Sequence, residues 1–294
     1  MRSLLAVPAT NPRFLEKGAQ SDADAVFIDL EDAVIPSLKV EGRAKAIAAI
    51  NTLDWGKRIL CVRVNDLGTQ WAASDLRELA ACARLDRVIL PKCETPDDVA
   101  TASELLHEGE MASKRTQPVA IAALVETAKG VANAEAIAAC RGRLGAMIFG
   151  SGDYQLDVGV LPSPVNLAGS EPRFDFALAR IANAARAYGL APIDGPYFDI
   201  ANPDGMRAAS RHAASFGFEG KMAIHPTQVA IANEVFSPSA EQLAWAREVL
   251  EAMAAAGEAG QGAVKTKDGR MIDLVHIKIA RKVIERAERN ATRR

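Results

Sequence analysis

Val119–Thr127 reads VAIAALVET, an apolar run with β-branched side chains that breaks off at a carboxylate, Glu126. It reads as a strand buried on both faces. Seven similar runs surround it: Ser3–Val7, Ala25–Ile28, Ile59–Val64, Arg87–Leu90, Ala146–Phe149, a weaker one over Leu190–Ile193, and Met222–Ile224. The segments between them are long enough for crossover helices. Lys39–Ile50 follows the turn and cap residues Pro36 and Ser37, Asp97–Leu106 follows the cap and first turn Thr95-Pro96, and Phe174–Tyr188, Pro203–Phe216 and Pro226–Val235 complete the series. Continuous apolar strands alternating with helices indicate a parallel sheet covered on both faces, and eight such units suggest an α/β fold of the (β/α)8 TIM barrel type. The runner-up is a doubly wound sheet, which no GxGxxG after the first strand supports.

With 294 residues, 49% of them hydrophobic and 24% charged, the chain is long enough for one α/β barrel or for two domains, and the strand count favours the barrel. A formal net charge of -2 supplies no basic field for a nucleic acid or an anionic membrane, so a small-molecule substrate is expected. Cys61, Cys82, Cys93 and Cys140 form no CxxC pair and the four histidines do not cluster with them, which argues against a zinc site or a disulfide framework and suits a reducing cytoplasm. The opening MRSLLAVPA is too short an apolar run for a signal peptide and is interrupted by Pro8, and no other stretch approaches a membrane span.

The barrel accounts for residues 1–238. Residues 239–294 follow as a C-terminal helical extension: an alanine-rich amphipathic helix over Ser239–Ala256, a glycine-bearing connection over Gly257–Gly269, and a final helix over Met271–Arg294 whose Arg281, Lys282, Arg286, Arg289, Arg293 and Arg294 read as a solvated face. Two readings stand for the extension, packing on the barrel wall and a lid or arm exchanged between subunits.

Active sites of parallel barrels lie at the carboxyl ends of the strands. Going round, those ends carry Pro8-Ala9-Thr10-Asn11, then Asp29, Glu31 and Asp32, then Arg63 and Asn65, then Lys92, Glu126, Asp153 and His225. Glu126 and Asp153 end consecutive strands, about 4.8 Å apart in a sheet, so both carboxylates can reach one cation. Two carboxylates without His or Cys company favour a hard ion such as Mg2+, the alternative being salt bridges to Arg63 or Lys92. In FGSGDYQLDVG, Gly150 and Gly152 let the backbone turn tightly beside a ligand. Arg63 in CVRVN offers a guanidinium fork for a carboxylate or a developing oxyanion, or an ion pair with Glu31 or Asp32. Arg2, among apolar residues at the very start, is either paired inside the barrel or a second anion clamp that binds substrate. His225 before Pro226 is read as satisfying backbone groups at the rim, not as a base.

In order along the chain, RSLLAVPAT, FIDLEDAV, CVRVN, ILPKCETP, LVETAKGV, FGSGDYQLDVG, GKMAIHPTQV with FSPS, and GRMIDLVHIKIA resemble the citrate lyase beta-subunit-like family of the HpcH/HpaI aldolase group, which includes malyl-CoA and citramalyl-CoA lyases. The resemblance implies a barrel assembled as a homotrimer or hexamer, using Mg2+ and cleaving 3-hydroxyacyl thioesters. Carried over by motif, Glu126 and Asp153 match the metal carboxylates, with Glu126 also at the substrate. Arg63 matches the active-site arginine, Arg2 the first-strand arginine, and Glu31 and Asp32 the acids near the metal waters. Asp273 in MID matches an aspartate that reaches a neighbouring subunit's site as acid/base, which turns the extension into a catalytic arm packing on that neighbour.

The expected reaction is retro-Claisen cleavage of a citramalyl-CoA or malyl-CoA type substrate to acetyl-CoA and a 2-oxo acid, with Mg2+ as cofactor and coenzyme A as part of the substrate. Pro8, Arg13, Lys17 and Lys39 are the expected contacts for coenzyme A. Three alternatives stand beside it: a citrate lyase beta subunit acting on a carrier-bound citryl thioester, a Mg2+-dependent pyruvate aldolase acting on free hydroxy-oxo acids, and a synthase or thioesterase built on the same enolate chemistry. His225 in AIHPTQ, where a true citrate lyase beta subunit is expected to carry asparagine, favours the stand-alone acyl-CoA lyases. Pro162, Ser163, Pro164 and Gly169 belong to an insertion expected to border the acyl pocket.

Overall fold

Eight parallel strands close on themselves in chain order: β1 (Ser3–Pro8), β2 (Ala25–Asp29), β3 (Ile59–Arg63), β4 (Arg87–Leu90), β5 (Ala120–Val125), β6 (Leu144–Phe149), β7 (Ala191–Asp194) and β8 (Gly220–Ala223). The seam is made by Ser3, Leu4 and Leu5 of β1 pairing with Lys221, Met222 and Ala223 of β8. This closure excludes the doubly wound alternative. The computed structural model describes residues 1–140, 142–161, 174–258, 262–266 and 269–292, so Pro162, Ser163, Pro164 and Gly169 lie outside the described residues. The chain divides into two compact units, Met1–Phe236 and Ser237–Arg294.

Strand parity decides what the barrel holds. Ala122 and Leu124 of β5 cluster with Leu4, Phe27, Cys61, Ile89, Ile148 and Met222 about the barrel axis. Their neighbours Ile121, Ala123 and Val125 belong to the larger core between sheet and helices. Both faces of every strand are therefore buried, which explains apolar runs without polar alternation. Two strands carried on past Phe27 and Leu124 bring Asp29 and Glu126 to the next inward position.

Several crossover helices start at residues whose side chains satisfy their first amide groups. Asn11 accepts from Phe14 and precedes Pro12 of α1 (Pro12–Ala19), and α2 spans Lys39–Thr52. After α3 (Ala72–Leu79), α4 (Pro96–Ser113) opens with a capping box in which the Asp98 carboxylate accepts from the Thr95 amide at 2.8 Å. The β5–β6 connection carries α5 (Ala128–Ala132) and α6 (Ala134–Ala138), and β6 is followed by α7 (Ser151–Asp157) and α8 (Asp175–Ala187). Next come α9 (Pro203–Ser215) and α10 (Pro226–Val235). His225 is the cap of α10, bonded through Nδ1 to the Thr227 hydroxyl at 2.8 Å, the rim role expected for it.

In the second unit α11 (Ala240–Glu258) and α12 (Leu274–Ala291) enclose a small core of Ala246, Val249, Met253, Ile272 and Ala280. The helix expected over Met271–Arg294 starts later than the sequence suggests. Met271–Asp273 is instead a strand, β10, antiparallel to β9 (Ala263–Lys265), and Asp273 caps α12. The reason is local: the Asp273 carboxylate accepts from the Val275 amide at 2.9 Å and bonds His276 Nδ1 at 2.8 Å, which stops the helix from extending backwards. No helix among the described residues is long and apolar enough to cross a membrane.

Candidate active site

A cavity of about 420 Å3 opens at the carboxyl end of the barrel. Its floor is the top of the inward-facing row, with Ala6, Phe27, Leu124, Met222 and Ile224 apolar, and its polar wall is Asp29, Asp32, Arg63, Glu126 and Asp153. Pro8, Gly150, Gly152, Pro196 and Phe198 complete the rim.

Glu126 is 2% exposed and is held at one oxygen, Oε1, which accepts from the Lys92 amide at 2.9 Å. Gly150, the residue after β6, takes the facing position, where a Cβ would lie 2.5 Å from both Glu126 Cβ and Oε2. No side chain larger than hydrogen fits there while the carboxylate keeps its place. Burial, followed by the neighbouring charges of Glu31 and Asp153, pushes the Glu126 carboxyl up to about 8. Burial raises the Glu31 carboxyl as well, against the pull of Arg63 and Lys92.

Arg63 is the hub of the opposite wall. Its Nε and Nη2 donate to Asp29 at 2.8 and 2.6 Å, a bidentate pair, while Nη1 lies 3.0 Å from Glu31 and 3.6 Å from Asp32. Burial alone would weaken the charged form, and these carboxylates more than reverse that. The partner expected for Arg63 was Glu31 or Asp32, and the tightest is Asp29. The register shows why, since Asp29 and Arg63 stand side by side on β2 and β3. Glu31 is completed by Lys92, whose Nζ donates to Oε1 at 2.5 Å. Lys92, expected at a strand end as a possible salt-bridge partner of Glu126 or Asp153, thus gives its amide to Glu126 and its ammonium to Glu31.

Two expectations are corrected. Arg2 binds no substrate, because it stands at the amino end of β1 and is 4% exposed. Its amide, Nε and Nη2 donate to Asp24 at 2.7, 3.0 and 2.7 Å. The six residues of β1 put it about 20 Å from the mouth at the rise of an extended strand. Lys39 is no phosphate contact either: its buried ammonium donates to the Leu30 and Glu31 carbonyls at 2.8 and 2.7 Å and tethers the loop after β2. Arg13 and Lys17 are exposed on α1, the helix that follows β1.

The donor set fits a hard divalent cation. Asp29, Glu31, Asp32, Glu126 and Asp153 outnumber Arg63, Lys92 and Lys39 around the mouth by two, a deficit that one such ion fills. Among the described residues no three His, Cys, Asp or Glu converge as a ready-made ligand cage. Glu126 and Asp153 would therefore be joined by oxygens of water and substrate, as suits Mg2+.

Residues 2–226 match the family model described as HpcH/HpaI aldolase/citrate lyase. The chain belongs to this family. It is 40% identical, over 98% of its own length and 94% of the relative's, to the L-malyl-CoA/beta-methylmalyl-CoA lyase of Cereibacter sphaeroides. It is 36% identical, with the same coverage, to a (3S)-malyl-CoA thioesterase of that organism. Among solved structures it resembles the CitE protein of Mycobacterium tuberculosis in complex with magnesium, acetoacetate and coenzyme A, with a TM-score of 0.77 and 31% identity over 98% of this chain and all of that one. The family membership and (β/α)8 barrel read from the ordered motifs are borne out.

Proposed function

We propose that this HpcH/HpaI family member is a Mg2+-dependent carbon–carbon lyase that cleaves a 3-hydroxyacyl-CoA of the malyl-CoA or citramalyl-CoA type to acetyl-CoA and a 2-oxo acid. The observation that carries the reading is the pair Glu126 and Asp153 in one cavity with Arg63, at the barrel mouth of a chain closely similar to an acyl-CoA lyase over nearly its whole length. Glu126 and Asp153 would hold the ion, which supplies Lewis acidity to the hydroxyl and carboxylate of the substrate.

This chain's own residues do the rest. Arg63, fixed by Asp29, offers its remaining N–H groups to the oxygen on which charge collects as the carbon–carbon bond breaks. Glu31 and Asp32 order water at the polar wall. The apolar floor of Ala6, Phe27, Leu124, Met222 and Ile224 keeps bulk water from the enolate. Asp273, from a neighbouring copy of the chain, would carry to the α-carbon of the acetyl-CoA enolate the proton that the substrate's hydroxyl loses. The His276 hydrogen bond and the Val275 amide hold its carboxyl below the usual range, so at neutral pH it stands as the base that the reverse condensation requires. We place the enzyme in the cytoplasm as a homotrimer or hexamer, with Arg13 and Lys17, exposed on α1, as cations for the coenzyme A phosphates.

Purified protein incubated with malyl-CoA, methylmalyl-CoA, citramalyl-CoA and free citramalate, with and without Mg2+, is expected to release a 2-oxo acid and acetyl-CoA from a thioester only when Mg2+ is present. Turnover of free acids alone overturns the thioester reading. Release of free coenzyme A in place of acetyl-CoA places the chain with the thioesterase relative. Asp273→Asn is expected to lower kcat by about 10²–10⁴-fold with Mg2+ affinity unchanged. Mixing it with Glu126→Gln chains is expected to restore part of the activity through sites that draw Asp273 from an intact neighbour.

A further inference from the structure

Lys92 departs from the geometry of its strand. Ile89 faces the barrel axis, so strict alternation turns residue 92 outward, toward the helices. Instead its backbone is left-handed, with φ of 48°. The other non-glycine residue with positive φ among those described, Lys114, ends α4, where that conformation is common. At Lys92 no helix ends. The turn aims the amide at Glu126 Oε1, and the ladder resumes one residue later with the Cys93 amide on the Leu124 carbonyl at 3.1 Å. The same turn brings Nζ to Glu31 Oε1, while Arg63 stands at Glu31 Oε2, so each oxygen of Glu31 faces a cation. Backbone strain of this kind persists only where the surroundings over-determine it.

The consequence concerns which carboxylates reach the ion. Glu31 is 5% exposed, is bonded to the same Lys92 whose amide holds Glu126, and lies 3.0 Å from Arg63 of the cavity wall, so it is the carboxylate placed to become a third ligand if released. A third carboxylate would tighten binding while filling a coordination position that the substrate's oxygens need. Building on the Mg2+ reading above, we infer that Lys92 is the positioning residue of this centre: its ammonium holds Glu31 off the metal, and its amide pins Glu126 Oε1 so that Oε2, lying over Gly150, is the ligating oxygen.

Calorimetry with Mg2+ and electron paramagnetic resonance with Mn2+, run on the full chain, test this without turnover. Lys92→Met is expected to bind Mg2+ at least threefold more tightly, because Glu31 joins the ion, while kcat at saturating Mg2+ falls about thirtyfold and KM changes little. Lys92→Arg is expected to recover kcat to within tenfold of the wild type. Glu31→Gln is expected to leave Mg2+ affinity within about twofold, and Lys92→Met in that background to produce no tightening. Weaker Mg2+ binding by Lys92→Met, or a tenfold loss in Glu31→Gln, overturns the proposal, and the second arm holds even where Lys92→Met does not fold. Glu126→Gln and Asp153→Asn report separately: if both keep wild-type affinity, it is the metal reading that has failed.

Discussion

Gly150 shows how far a residue can be fixed by its neighbour. Its φ of -101° is open to any amino acid, so the demand for glycine is one of space alone, set by the Cβ and the carboxylate of Glu126 opposite. Gly150→Ala is therefore expected to shift the backbone that carries Glu126, read as a lower urea midpoint, and to lose at least tenfold in Mg2+ affinity by calorimetry. Glu126 itself was legible because the inward parity of VAIAALVET carries on to it. Asp29 as the partner of Arg63 was not, since three acids within four residues cannot be ranked without the β2–β3 register. Arg2 was illegible for another reason: a charged residue flanked by apolar ones reads alike at either end of a barrel strand, and only the partner Asp24 puts it at the foot.

Among the helices, α3 and α4 show what close packing demands. At Gly109 of α4 a Cβ would lie 2.1 Å from the Arg77 carbonyl of α3, which lets the two backbones touch. Gly109→Ala is expected to force them apart and cost roughly 1–3 kcal/mol of stability, the range for overpacked interiors, read as a lower urea midpoint with an unchanged slope. Long elements of the barrel were legible from apolar runs and from cap residues such as Thr95. The β9–β10 hairpin was not, because three-residue strands carry no period, and the pattern of α12 runs into Met271–Asp273 without a break. The mark that separates them is Asp273 with His276 three residues on, a cap that is weaker as a signal than the usual Glu or Gln.

At the scale of the molecule, buried carboxyls act in opposite senses as pH changes. Burial raises Asp24 and Glu110, but the hydrogen bonds and charge of Arg2 and Arg143 outweigh it and hold both carboxyls below their usual range. A carboxyl depressed in the fold contributes stability that is complete above its unfolded value of about 4 and is lost as pH falls through the folded one. Glu126 is raised instead, to about 8, so its burial penalty grows as pH rises through the range above the unfolded value and is complete only above about 8. Urea midpoints of the metal-free protein from pH 3 to pH 9 are expected to fall at both ends. Asp24→Asn flattens the acid side, and Glu126→Gln raises the midpoint above pH 8 while leaving it unchanged at pH 4.

The seam between β1 and β8 has a consequence for the order in which the fold comes together. Ser3–Leu5 pair with Lys221–Ala223, which come more than two hundred positions later in the chain. During synthesis one edge of β1 therefore waits unpaired while the arc from β2 to β6, which brings Arg63, Glu126 and Asp153 into register, is already complete. The cradle for the ion rests on strands close together in sequence, whereas closing the barrel depends on a pairing that spans residues 3–223.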